Sequence, residues 1–80
     1  MNGMWTKCSD KTPERNGVYL CAFRGVGNYI YYAVQGFATD LYEISKWDFG
    51  DKKGVSGFYC QDEMTEPIAW QKIERYKERE

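Results

Sequence analysis

Eighty residues, 9.4 kDa, with eleven Lys and Arg against twelve Asp and Glu and a net charge of −1, fit one compact domain and argue against a sequence-independent nucleic-acid binder, whose affinity comes from neutralising many phosphates. Histidine is absent, which removes the commonest general base and zinc ligand and excludes a hydrolase of the usual triad type. Three Trp, seven Tyr and four Phe make 18% of a chain whose mean hydropathy is only −0.72, so the rings must be either core or an adhesive face.

Cys8, Cys21 and Cys60 are odd in number, widely spaced and without a C-x-x-C pair. They fit neither a closed zinc site nor a disulfide framework, and read as reduced thiols packed as small hydrophobes. The N-terminal residues lack the basic and apolar regions of a signal peptide, and no apolar run approaches the roughly 20 residues that span a bilayer. The expectation is a soluble, cytoplasmic protein.

In chain order, residues 5–16 carry loop chemistry, with Pro13 holding Thr12 extended and Asn16-Gly17 offering a turn in which positive φ is cheap. Val18 to Phe23 is a β-branched and aromatic run, Gly25-Val26-Gly27-Asn28 a short loop, and Tyr29 to Val34 the strongest strand signal. Two such runs joined through glycines predict a β-hairpin. Thr39 to Ile44 has a helix N-cap candidate in Asp40, while Tyr42 to Phe49 also reads as a strand that turns Trp47 and Phe49 inward. Asp51 to Gly54 is a turn continued as loop through Gly57, Phe58 to Cys60 a short strand, and Asp62, Glu63 and Glu66 a solvated acidic loop before Pro67. Ile68 to Ile73 closes the fold, and 74–80 is a charged tail expected to fray or form a short exposed helix. The fold class is mainly β: a single domain of residues 1–80 built as a small antiparallel sheet of four to six strands or an open barrel, with at most a short helix.

Period-two alternation sets Ile30, Tyr32 and Val34, with Val18, Leu20 and Ala22, against Tyr29, Tyr31, Tyr19, Cys21 and Phe23. One face is aliphatic and the other aromatic. The expectation is that the aliphatic side is core and the aromatic side meets a partner, with Arg24 at its rim. Trp5 and Trp70 read as framework that joins the first and last ordered segments through two large rings, together with Trp47, Phe49 and Tyr32.

Trp5, Pro13-Glu14, Gly17-Val18-Tyr19-Leu20, Ile68-Ala69-Trp70 and Tyr76-Lys77 together resemble the small phage and prophage proteins grouped as domain of unknown function 551. These blocks bracket nearly the whole chain, apart from residues 36–57. The Pro-rich stretch that follows the second Trp in that family is Gln71-Lys72-Ile73-Glu74 here. The resemblance implies a compact β-rich domain in a bacterial or phage cytoplasmic setting and brings no activity with it.

The function that follows is a non-enzymatic accessory protein that binds and inhibits a host protein, a defence protein included, through Tyr19, Phe23, Tyr29, Tyr31 and Arg24. Tyr and Trp dominate interface hot spots at low entropic cost. The alternative is a binder or sponge of a nucleotide or single-stranded nucleic acid through the same aromatic and Arg face, with Gly25-Val26-Gly27 near a phosphate. No enzyme, no cofactor, no metal and no membrane contact is expected; a homo-oligomer is, because so small a domain gains by burying an apolar face.

Overall fold

The computed structural model describes residues 4–73. The strands are β1 (Thr6–Lys7), β2 (Gly17–Arg24), β3 (Ile30–Ala38), β4 (Gly57–Cys60), β5 (Glu63–Thr65) and β6 (Ala69–Lys72), with one helical turn, α1 (Leu41–Ile44). They form a single antiparallel sheet ordered β1-β6-β2-β3-β4-β5. The mainly β fold with one short helix is as the sequence leads one to expect. Its edge strands have only two and three residues, which limits edge-to-edge pairing. The charged tail lies outside the described residues.

The hairpin forms where expected, with Phe23 opposite Tyr31 and Leu20 opposite Val34. Its loop is a 3-10 turn, Val26–Asn28, and reverses through positive φ at Gly27 and Asn28. Asn16-Gly17 is not such a turn: neither residue has positive φ. Instead the Asn16 Oδ1 accepts from the Thr39 amide at 2.8 Å and the Thr39 hydroxyl at 3.1 Å, tying the start of β2 to the end of β3. The expected acidic loop is partly strand, since Glu63 pairs with Cys60.

The sheet is strongly curled. Tyr19 on β2 and Phe58 on β4 bring their rings to 6.4 Å although β3 runs between them, closer than the roughly 10 Å that two strand spacings would give a flat sheet. Tyr19, Cys21, Phe37, Phe58 and Trp70 form the core on this concave side. Tyr19 stands edge-on to Trp70 at 5.3 Å, and Phe37 to Phe58 at 4.9 Å, the geometry the ring quadrupoles favour. Residues 8–16 close over it: the Tyr19 hydroxyl donates to the Arg15 carbonyl at 2.9 Å, and the Trp70 Nε1 to the Lys11 carbonyl at 2.8 Å. The core is thus the aromatic face, the reverse of the expectation. The closing segment supplies backbone acceptors, and only Tyr and Trp combine apolar area with a donor to meet them.

The aliphatic face is convex and largely bare: Val18 is 59% exposed, Tyr32 59% and Val34 53%. At one end it carries a second cluster, Ala38, Leu41 and Phe49, packed with Tyr59. Here the segment from 39 to 56 folds back as a compact loop. Asp40 caps α1 through Oδ1, which accepts from the Tyr42 amide at 3.1 Å and from the Gly54 amide at 2.9 Å. The Leu41 amide reaches the Val55 carbonyl at 2.8 Å, so both ends of the loop are pinned. Phe49 turns inward as expected, but Trp47, expected as framework, is 94% exposed.

Candidate functional site

The hairpin puts Phe23, Tyr31 and Tyr29 on the concave side of its tip. Phe23 and Tyr31 are directly paired across β2 and β3 and stack at 5.4 Å with 16° between planes; Tyr31 meets Tyr29 at 5.7 Å and 39°. Tyr29 leans onto Gly25, where a Cβ would stand 2.7 Å from its ring. The result is a ladder of three rings on a hydrogen-bonded hairpin, with Tyr29 59% and Tyr31 43% exposed. The loop of residues 39–56 packs on the other face, so it does not cover the ladder.

The remaining residues of the expected site are elsewhere. Tyr19 is buried, with its hydroxyl already bonded to Arg15, and cannot meet a partner. Arg24 pairs with Ile30, so it points to the convex side, opposite the ladder. The Gly25 amide donates to the Tyr29 carbonyl at 2.7 Å, which removes the first amide of the glycine loop from any phosphate.

Trp5 and Trp70 do not meet ring to ring. Thr6 is the residue opposite Trp70, so alternation turns Trp5 to the convex side, where it meets Tyr32 at 5.7 Å. The ring of Tyr32 itself is more exposed than framework. Trp5, Lys7, Arg24, Pro67 and Ala69 line a trough at this end of the convex face, with a volume of about 680 Å³. A smaller hollow of about 160 Å³ on the concave side lies beside Tyr19 and Trp70, between Lys11, Arg15 and Lys72.

The thiols offer no nucleophile in the interior. Burial pushes Cys8 up, and Cys21, fully buried, is pushed up to about 12 by burial first and by Cys8 second; both are thiols, not thiolates, near neutral pH. Cys60 is exposed, against the expectation of three buried cysteines. Among the described residues no group of His, Cys, Asp or Glu is placed to hold a metal ion, and no helix is long and apolar enough to cross a membrane.

Sequence reasoning missed Trp47. It stands between Lys46 and Asp48 on a loop braced from within: the Ser45 hydroxyl accepts from the Asp48 amide at 3.1 Å, and the Phe49 amide donates to the Ser45 carbonyl at 2.9 Å. No protein-family model, curated protein or solved structure matches the chain.

Proposed function

We propose that the chain is a non-enzymatic protein-binding module, an accessory protein of phage or prophage type that acts on a host protein in the bacterial cytoplasm. The observation that carries the reading is the ring ladder Phe23, Tyr31 and Tyr29, the first two stacked and the third tilted against them on a hydrogen-bonded hairpin, left uncovered by the chain's own middle segment. Rings already stacked lose little freedom on docking, and buried Tyr side chains are frequent hot spots. The family resemblance of the terminal blocks supports the phage setting, including an anti-defence role.

Co-precipitation from bacterial lysate with the wild type and with the Tyr29→Ala/Tyr31→Ala double variant tests the ladder. Loss of a captured band, with an unchanged thermal midpoint, is expected. Undiminished capture by the folded variant removes the ladder from the reading.

Self-association belongs to the same reading. Val18, Ile30, Tyr32 and Val34 are a contiguous apolar strip on strands paired with each other, and an 80-residue domain gains stability by burying such a strip against a second copy.

A further inference from the structure

We infer that the trough at the β1 and β6 end of the convex face binds a small anion carrying an aromatic ring, of which a nucleoside monophosphate is the simplest example. It is lined in the sheet by the small side chain of Ala69, whose strand neighbours are Lys7 and Ala22. Trp5 and Lys7 rise from β1 and its approach, Arg24 rises from β2, and buried Pro67 closes the end. The volume of about 680 Å³ lies within the range of roughly 300–1,000 Å³ typical of small-molecule pockets.

The charge in the trough is one-sided. Lys7 and Arg24 are both exposed and no carboxylate lines it. The ion pairs among the described residues are Lys11 with Glu14 and Lys52 with Asp51, so neither cation of the trough is matched there. Cys8, in the wall, stays neutral because burial pushes its thiol up. In a chain of net charge −1, two cations without an ion-pair partner among the described residues focus a local positive field in one concavity. A guanidinium presents a planar fork to phosphate or carboxylate oxygens, and the ammonium adds a point charge. Trp5, steadied by Tyr32 at 5.7 Å, supplies a large π-surface for a planar ring. Anion and ring are therefore recognised together.

The trough commits to a free mononucleotide rather than a strand. Calorimetric titration of the full chain with 5′-AMP, adenosine, inorganic phosphate and a short oligothymidylate distinguishes the sources. AMP is expected to bind, with adenosine and phosphate each at least about tenfold weaker, and AMP affinity is expected to fall by at least about tenfold in Arg24→Gln. Lys7→Gln and Trp5→Phe weaken it further, and raised salt weakens the wild type. Arg24 and Lys7 are exposed, so their variants keep the fold. No heat from AMP at millimolar concentration, AMP binding unchanged in Arg24→Gln, or binding of the oligothymidylate in preference to AMP overturns the inference. The ladder is on the opposite face, so Arg24→Gln leaves protein capture unchanged and the two readings fail separately.

Discussion

The ring of Tyr59 lies on the α-carbon of Gly36, its directly paired neighbour across β3 and β4. A Cβ at residue 36 would stand 2.6 Å from that ring. Tyr59 in turn packs edge-on against Phe49 at 6.1 Å. The absence of a side chain at one sheet position thus lets a ring lie down and receive the plug of the 39–56 loop.

Gly36→Ala is expected to lift Tyr59 off the sheet and to cost about 1–3 kcal/mol, the usual range for overpacking. Urea unfolding measures the cost. Hydrogen exchange should show the largest acceleration at Leu41 and Phe49, beyond that of the hairpin amides.

Gln35 is buried on the concave face opposite Tyr19. Its Nε2 donates to the Val34 carbonyl at 3.0 Å, while its Oε1 has no partner among the described residues. A buried polar atom left unpaired costs about 1–3 kcal/mol. Gln35→Met, similar in volume, is expected to raise the urea midpoint with an unchanged slope; a lowered midpoint would show that the amide is satisfied in solution.

Alkaline pH should weaken the fold through Cys21. Its value rises from 9.0 in the unfolded chain to about 12 in the folded one, so the folded state holds the proton more tightly. The stabilisation is complete below about pH 9 and is lost progressively as pH climbs toward 12. Thermal midpoints between pH 8 and 11 should fall more steeply for the wild type than for Cys21→Ala.

Two tryptophans separate stability from surface. Trp47→Ala should change stability by less than about 0.5 kcal/mol, because almost nothing packs on it. Trp70→Ala removes a core ring and its bond to Lys11, and should cost about 3–5 kcal/mol. Equilibrium unfolding of both variants gives the contrast, and any partner affinity lost in Trp47→Ala is then attributable to contact.

Self-association through the convex strip predicts a dimer in the micromolar range by light scattering, converted to a monomer by Val34→Glu. A monomer at every concentration would remove self-association from the functional reading.

The hairpin was legible because two β-branched and aromatic runs meet at a glycine loop, and Asp40 was legible as a cap because Asp needs only its own side chain to do that work. Which face of the hairpin is core was not legible. Hydrophobicity alone favours Val18, Leu20 and Val34, but the decision rests with the carbonyls of Lys11 and Arg15, which only the folded loop brings over Trp70 and Tyr19. Alternation by itself puts Arg24 on the far side from Phe23, and adjacency in sequence does not make it a rim to that ring. Trp47 stays outside while Leu41 and Phe49 pack with Ala38 and Tyr59, a matter of space that residue type does not encode.

The position of β6 has a consequence for how the chain assembles. From β2 to β5 each strand pairs with the next in sequence; β2–β3 and β4–β5 turn tightly, while β3 reaches β4 through the 39–56 loop. Only residues 66–68 join β5 to β6, yet β6 pairs with β2 on the far flank of the meander, so that Trp70 finds Cys21 and Ala69 finds Ala22; the curl of the sheet brings the two flanks together, at the entropic cost of a contact between strands far apart in sequence. Without β6 the meander stands with Tyr19 uncovered on one flank, and β1 has no strand to join. Pairing of β6 with β2 is thus what closes the core over Tyr19, and the same pairing places Ala69 in the trough.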